Sequence, residues 1–419
     1  MSTPVKTDLQ HTFFALALVL LAGWLVDLVL WPAQALPPVT AVEAGDYFTE
    51  QVIERADAFR GAQSWLSLAS MLVWIGVPLL VALRWPKGLG AVWAEAGRVR
   101  RCAYAAAAAG AVILLARVIA LPIEIVAFRR SRNAGLAVQS IQSWLTGWAM
   151  GTGLTVLAIA VLAVVAHLLI RRLRRAWWAA FWAVVVLLAA AFQLFSPVVI
   201  APLFADFGEL PPSVTRSDVE QLARATDVRA GEILVVDAAV RTTAANAYVG
   251  GLGATKRVVL YDTLLRGFDR RQQRQVIAHE FGHAHYNDLT RGLVWFGLVA
   301  VVVLPAVDLA ARRIARRRVV DPASPVYVVM LTATAILAIA VTQPAANSYS
   351  RAVEARADVF AMRATGDPGG AISLTRRLAL KNLSRPSPPR LLHVALGTHP
   401  TPVERIGLAE TLARRKSGR

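Results

Sequence analysis

Long apolar blocks separated by arginine-rich segments dominate the pattern of hydrophobic and polar positions along this 419-residue chain. Seven blocks approach the length of about 20 apolar residues that a helix needs to cross a lipid bilayer. Tryptophans stand at many block ends, as in helices anchored at the membrane interface. The blocks cover residues 12–31, 64–83, 102–123, 148–170, 177–194, 292–311 and 326–344. The pattern therefore predicts an all-α, multi-pass membrane protein with about seven transmembrane helices.

The first block has a second interpretation, a signal peptide cleaved after Ala33-Gln34-Ala35. Its N-terminal region carries a single lysine, and its apolar run is longer than the hydrophobic part of a normal signal peptide. These features favour a retained transmembrane helix.

Two stretches of the chain are more polar. Residues 201–290 contain β-branched runs at 232–237 and 257–261 that favour strands, with a Gly-rich turn region between them and an amphipathic helix at 218–226. Residues 345–419 favour helices. The chain thus divides into a five-helix transmembrane domain (1–200), a soluble insert (201–290), transmembrane helices six and seven (291–347) and a C-terminal segment (348–419).

Composition supports membrane insertion and narrows the chemistry. The chain is 56% hydrophobic, above the share of about 45–50% in soluble domains, and its mean hydropathy is +0.50. The single Cys102 excludes an internal disulfide and Cys-rich metal sites. The net charge of +18 comes largely with arginines at the ends of apolar blocks, where they face lipid headgroups. No nucleic-acid recognition motif accompanies this charge, so no nucleic-acid partner is expected.

The candidate chemistry lies in VIAHEFGHAHYND, residues 276–288, which holds three of the seven histidines. On a helix over residues 270–287, His279 and His283 stand at i and i+4 and project from one face, as two ligands of one zinc ion require. Glu280 is offset around the helix. It can therefore act as a general base on the attacking water without ligating the metal.

A third ligand is needed, since the H-E-x-x-H spacing also arises by chance. His285 follows His283 by two positions and points to another face, so it is interpreted as a surface residue or a support for a ligand. Glu354 and Asp358 in SRAVEARAD again stand at i and i+4. They offer one carboxylate for the metal and another to accept the N–H of a ligand histidine. Alone, this segment would favour a solvated helix with Arg–Glu pairs; together with H-E-x-x-H it favours ligation.

His399 in GTHPTPVERI precedes Pro400, which holds it in an extended or turn backbone. A histidine there can donate to the oxyanion of a tetrahedral intermediate. A helix-entry turn with an incidental histidine explains the local sequence equally well.

Five segments in this order resemble the type I CAAX prenyl endopeptidases, the sterile-24-like integral-membrane zinc metallopeptidases. They are FSPVVIAPLF (195–204), ILVVDAAVRTTAANAYVGGLGATKRVVLYDTLL (233–265), HEFGH (279–283), SRAVEARAD (350–358) and THPTPVERI (398–406). The resemblance implies seven transmembrane helices enclosing a chamber, closed by a small α/β zinc metalloprotease domain of the gluzincin type.

The resemblance also implies a role for each site residue. It implies one Zn²⁺ per chain held by His279, His283 and Glu354, with Glu280 as base, Asp358 as partner of a ligand histidine and His399 as oxyanion donor. Asn246 and Ala247 fall in a segment that offers an edge strand to the substrate peptide, a mode in which an extended chain adds to a sheet. The expected partners are a peptide or protein substrate and the lipid bilayer, and the oligomeric state stays open.

Loop charges bear on the orientation in the membrane. The loops after the second, fourth and sixth blocks carry 14 lysines and arginines, and those after the first and third carry 5. Because lysine and arginine mark cytoplasmic loops, this count places the catalytic insert outside the cytoplasm. Eukaryotic members of the family cleave prenylated proteins on the cytosolic face. The Ala- and Arg-rich composition is typical of a bacterium with a GC-rich genome, so a bacterial cell membrane is expected.

Three functions are compared. The first is a zinc endopeptidase acting on membrane-associated or prenylated, CAAX-like substrates. The second is a quality-control protease like the heat-shock membrane metallopeptidases, which typically have fewer helices. The third is a transporter or scaffold with a vestigial zinc site, suggested by charged or titratable residues in or near apolar blocks, namely Arg117, Glu124, His167 and Asp308. The joint presence of ligands, base and oxyanion histidine favours an enzyme.

Overall fold

The computed structural model describes residues 4–31, 36–86, 93, 96–251 and 253–418. Within them the α-helices are α1 (Pro4–Leu30), α2 (Glu50–Arg84), α3 (Arg98–Asn133), α4 (Ile141–Leu173), α5 (Trp177–Phe195), α6 (Val214–Ala225), α7 (Asp262–Gly267), α8 (Arg270–His285), α9 (Asp288–Arg318), α10 (Tyr327–Thr365), α11 (Pro368–Lys381), α12 (Arg390–Leu396) and α13 (Pro402–Lys416). The strands are β1 (Phe207–Glu209), β2 (Glu232–Val236), β3 (Ala247–Gly250) and β4 (Arg257–Tyr261). The proposed signal-cleavage residues 33–35 lie outside the described part of the chain.

Six helices in the described residues are long and apolar enough to cross a membrane: α2, α3, α4, the helical run Trp177–Leu203 that begins with α5, α9 and α10. These six confirm six of the seven predicted spans. The remaining predicted span lies in α1, whose stretch Ala17–Leu30 is apolar but shorter. A cavity of ≈ 830 Å³ opens between α2, α3 and α4 and reaches Thr242 of the polar insert.

The polar insert forms a four-stranded sheet in the order β1-β2-β4-β3, with β2 and β4 parallel and the two outer strands antiparallel. β2 and β4 confirm the two strands predicted from β-branched runs. Val258 and Leu260 of β4 are fully buried and share a hydrophobic cluster with Ile277 and Phe281 of α8. This cluster fixes α8 against the sheet. Among the described strands, β3 lies at an edge with no strand on its outer side.

The predicted boundaries at 290/291 and 347/348 both fall inside continuous helices, α9 and α10. Helix α10 alone is 39 residues long and passes from the membrane span into the C-terminal segment without a break. Arg356 and Asp358 of its C-terminal half are buried. The first part of the polar segment after residue 347, up to Thr365, is therefore an extension of a transmembrane helix.

Helices α8 and α10 touch closely at Gly282. A Cβ atom added there would lie 3.1 Å from Ala357 Cα and 3.3 Å from Phe360 Cβ. Any larger side chain would hold the two helices apart, because packed interiors leave no space for an added group. Glycine at this position thus sets the spacing between the two helices that carry the predicted metal ligands.

Gly282→Val is expected to lower the apparent melting temperature in detergent by several degrees and to reduce metal content, because overpacking costs about 1–3 kcal/mol. Gly292→Val is the matched control, since it changes a helical glycine whose added Cβ would meet no atom within 4 Å. Differential scanning fluorimetry and elemental analysis of both variants measure the effect. Equal shifts in the two variants would show that the contact at Gly282 has no special role.

Candidate metal centre and catalytic cleft

Helix α8 brings His279 and His283 together. It begins at a capping box, in which Asp269 accepts from the Gln272 backbone and the Gln272 side chain accepts from Asp269 N–H. Its last two turns carry both histidines on one face, with their Nε2 atoms 3.1 Å apart. The i, i+4 spacing seen in the sequence is thus realised as one pair of converging imidazoles.

Glu354 of α10 completes a group of three candidate ligands. Its two carboxylate oxygens lie 3.2 Å from His279 Nε2 and 3.7 Å from His283 Nε2. One ligand atom from each of the three residues lies within 4.8 Å of the others. Bonds of about 2.0–2.2 Å in a tetrahedral zinc site separate ligand atoms by roughly 3.4 Å, so the spacing fits a tetrahedral metal site.

Asp358 supports the first histidine, as the sequence predicts. Its Oδ1 lies 2.9 Å from His279 Nδ1. Arg405 of α13 donates to both oxygens of the same carboxylate, at 2.8 and 2.6 Å. The carboxylate accepts the Nδ1–H and leaves the lone pair of His279 on Nε2, facing the other ligands.

Asp288 supports the second histidine in the same way, and the sequence analysis missed it. Its Oδ2 lies 2.9 Å from His283 Nδ1, and Arg356 donates to its other oxygen. A residue five positions after His283 would point to another face if α8 continued. The helix instead ends at His285, and the left-handed backbone of Asn287 (φ +54°) turns the chain and places Asp288 back against His283. The only signal in the sequence is Asn287 itself, since asparagine tolerates this conformation.

The donor set suits a divalent cation. Both Nδ1–H groups are directed at carboxylates, so two Nε2 lone pairs and the Glu354 carboxylate converge on one point and repel each other unless a positive charge lies between them. Burial lowers the pKa of His279, but the hydrogen bonds to Asp358 and Glu354 outweigh burial and raise it to about 10. The pocket thus favours a positive charge at this point, and a divalent metal ion would supply it in place of a proton.

Glu280 lies beside these ligands in the cleft but does not belong to the group. Burial raises the pKa of its carboxyl, while His279, His283 and a backbone hydrogen bond from Val249 of β3 lower it. A carboxylate with a raised pKa takes up and returns a proton more readily near neutral pH. The position and environment of Glu280 are therefore those of a candidate general base.

The cleft next to Glu280 is a cavity of ≈ 540 Å³. Asn246, His279, Glu280 and His399 all line it. Its apolar wall comes from three elements of the soluble part, with Leu264 of α7, Val276 of α8, and Leu374 and Leu378 of α11. The cleft thus joins the metal centre to a pocket that fits apolar side chains.

The free edge of the sheet borders this cleft. Tyr261 N–H donates to the Asn246 carbonyl across β3 and β4. Because backbone groups alternate in direction along an antiparallel strand, the N–H and C=O of the next residue, Ala247, point away from β4 toward the free edge. Of the two predicted substrate-binding residues, Ala247 therefore directs its backbone groups to the outer edge of the sheet, whereas the Asn246 carbonyl is bonded to β4.

The structure also brings His399 to the centre and places His285 apart from it. His399 Nε2 is 3.5 Å from Glu354 Oε2. His285 is exposed and packs against Tyr286 and Phe360. The expectation of a surface position for His285 is confirmed.

Comparison with known proteins agrees with this geometry. Residues 14–206 match the family model "CAAX prenyl protease N-terminal, five membrane helices", and residues 213–413 match "Peptidase family M48". The "Uncharacterized metalloprotease YhfN" of Bacillus subtilis is 28% identical over 83% of this chain and 84% of its own length. The "CAAX prenyl protease 1 homolog" of Arabidopsis thaliana is 30% identical over 54% of each chain.

A solved structure shares the fold. The crystal structure of S. mikatae Ste24p superposes with a TM-score of 0.73, covering 97% of this chain and 99% of that one at 20% identity. Membrane helices and metal-centre domain are thus matched together, in the same order, by sequence and by fold. The chain belongs to the Ste24-like CAAX protease family of M48 membrane metallopeptidases.

Proposed function

We propose that this membrane metalloprotease is a zinc endopeptidase that cleaves extended peptide segments of membrane-associated proteins. The observation that carries the proposal is the convergence of three electron-pair donors, from His279, His283 and Glu354, beside Glu280 in a cleft that is bordered by a free strand edge. A purely structural metal site would require neither the carboxylate of Glu280 beside the ligands nor the open cleft.

The substrate backbone is proposed to pair with β3 at Ala247, as an added strand. This mode binds main chain of any sequence, and side-chain pockets then give preference. The apolar wall formed by Leu264, Val276, Leu374 and Leu378 favours an aliphatic or aromatic side chain next to the scissile bond. Asn246 lies at the mouth of the same cleft, where its amide can bond the peptide backbone.

Each catalytic group has a distinct task in the proposed reaction. A bound Zn²⁺ supplies a Lewis acid that polarises the peptide carbonyl and acidifies water. Glu280 takes a proton from the attacking water and returns it to the leaving amine. His399 donates to the carbonyl oxygen as negative charge develops there. Asp358 and Asp288 hold the two histidines in the tautomer that faces the metal.

CAAX-type specificity is a finer proposal. It is supported by the names of two relatives, the "CAAX prenyl protease 1 homolog" of Arabidopsis thaliana and the "CAAX prenyl protease 1" of Saccharomyces cerevisiae. The yeast protein is 34% identical over 24% of this chain. The loop charges favour an extracytoplasmic catalytic domain, where unprenylated membrane peptides are the expected substrates.

Three of the four residues that suggest a transporter are paired with other side chains, and the fourth, His167, is buried. Arg117 pairs with Glu124 at 2.9 Å, and Trp148 and Thr152 complete the hydrogen bonds of this pair. Asp308 pairs with Arg312 at 2.8 Å and accepts from Tyr327. Charges inside membrane segments pair in this way both in helix bundles and in transport paths, so these pairs do not require a transport function. A quality-control protease uses the same catalytic centre and differs only in its substrates.

Purified protein is expected to hold one zinc per chain. His279→Ala, His283→Ala and Glu354→Ala should each lose it, since a three-ligand site has no spare donor. Asp288→Ala should weaken zinc affinity by about 10–100-fold, as for other partners of ligand histidines. His285→Ala is the control histidine variant. Elemental analysis and competition with a chelator measure these effects, and stoichiometric zinc in Glu354→Ala would reassign the third ligand.

Glu280→Gln is expected to keep its zinc and its melting temperature while peptide cleavage falls by about 10²–10⁴-fold, because the amide cannot accept the proton of water. Comparison of new N-termini in membrane fractions containing either form would also identify substrates. Turnover like that of the unmodified protein would exclude Glu280 as the base.

The catalytic domain is expected outside the cytoplasm. In a Cys102→Ala background, a cysteine in place of Ser213, an exposed residue that precedes α6, should react with a membrane-impermeant maleimide in intact cells. A cysteine in place of Arg316, at the arginine-rich end of α9, should react only after lysis. The reverse pattern would place the centre in the cytoplasm and favour CAAX-like substrates.

A further inference from the structure

Three polar residues precede Glu354 on one face of α10. Asn347, Ser350 and Arg351 stand seven, four and three positions before it, and Asp358 follows four positions later. This spacing keeps all five side chains along one stripe of the helix. The stripe holds the third metal ligand and the partner of His279, so its other members are candidates for a part in the same centre.

Asn347 and Arg351 bind the end of α12. Asn347 Nδ2 donates to the Ala395 and Val394 carbonyls, at 2.7 and 3.3 Å. Arg351 donates to the Gly397 carbonyl at 2.7 Å and to the His393 carbonyl at 3.4 Å. The last carbonyls of a helix have no partner within it, so side chains of α10 satisfy those of the seven-residue α12.

Ser350 continues this contact into the loop that follows. Its hydroxyl donates to the Thr398 carbonyl at 2.8 Å. The next residue is His399, in a segment between α12 and α13 that has no helix or strand of its own. The backbone that carries His399 is therefore tied directly to the helix that carries Glu354.

We infer that Asn347, Ser350 and Arg351 are positioning residues that hold His399 in register with the metal ligand Glu354; this inference rests on the proposed function. An oxyanion donor and a metal held by Glu354 would act on the same carbonyl only if the relative position of His399 and Glu354 is held within about 0.5 Å. Side-chain hydrogen bonds from one helix to the backbone before His399 supply that register, because Glu354 and the three donors project from the same helix.

The competing explanation is that the three residues only dock the C-terminal segment on α10. We call Asn347, Ser350 and Arg351 the clamp and their substitutions the clamp variants. Docking alone predicts that these substitutions lower stability and that their kinetic effects multiply with the effect of His399→Ala. Positioning predicts that the effects of the clamp variants depend on the imidazole being present, because misplacing an absent side chain costs nothing. A double-mutant cycle separates the two.

The first experiment measures kcat and KM for Ser350→Ala and Arg351→Met on a peptide substrate. We expect kcat to fall about tenfold with little change in KM, zinc content or melting temperature, because misorientation of a catalytic donor costs turnover more than binding. Arg351→Lys should recover part of the loss through a single donor. Thr342→Val is the matched control on the same helix, since the Thr342 hydroxyl bonds only to carbonyls of α10.

In a His399→Ala background the same substitutions should reduce kcat by less than twofold further. A full tenfold drop in that background would overturn the inference and leave docking as the role of the clamp. If Ser350→Ala proves unstable, the double-mutant cycle with His399→Ala can be completed with Arg351→Met and Arg351→Lys.

A peptidyl phosphonate, which resembles the tetrahedral intermediate, gives a readout that needs no turnover. Its affinity should fall about tenfold in the clamp variants, and in a His399→Ala background the same substitutions should change it by less than twofold. If the unmodified protein neither cleaves peptides nor binds the phosphonate, the proposed function is at fault. If it does both and the clamp variants match Thr342→Val, the positioning role alone is wrong.

Discussion

The close contact of α8 and α10 at Gly282 is the constraint on which the centre depends. Two of the three candidate ligands project from one helix and the third from the other, and their ligand atoms must converge within a few ångströms. With Ala357 Cα only 3.1 Å from where a Cβ would stand, the helices meet nearly backbone to backbone. The burial of Phe281 and Ile277 against β4 then fixes the rotation of α8, so that both imidazoles turn toward Glu354.

Much of this centre could be predicted because its information is local. The pairs His279/His283 and Glu354/Asp358 each lie one helical turn apart, and β2 and β4 are short β-branched runs. Asp288 could not be found by the same rule, since the helix break at Asn287 changes its direction. The register between α10 and the loop of His399 is also a tertiary property. It depends on carbonyl groups, which every residue has and which leave no pattern in the sequence.

The two histidines have matching supports of different origin. His279 is held by Asp358, which binds Arg405 of the C-terminal helix α13. His283 is held by Asp288 of α9, which binds Arg356 of α10. Helices α9 and α10 follow each other in the chain and form the membrane hairpin. Each arginine offsets the charge of its carboxylate, which lowers the cost of placing two acids near Glu354. Both polar segments of the chain and both helices of the hairpin must be assembled before the centre exists.

The continuous course of α10 sets the distance between its membrane span and the candidate metal centre. At about 1.5 Å of rise per residue, Glu354 lies roughly 40 Å along the axis from Tyr327, which exceeds the thickness of a hydrocarbon core, about 30 Å, by roughly 10 Å. The helix continues through Pro344, so the candidate ligand and the membrane span belong to one element. Under the proposed function, bonds close to the headgroups are therefore within reach of the centre, and bonds in distant domains are not.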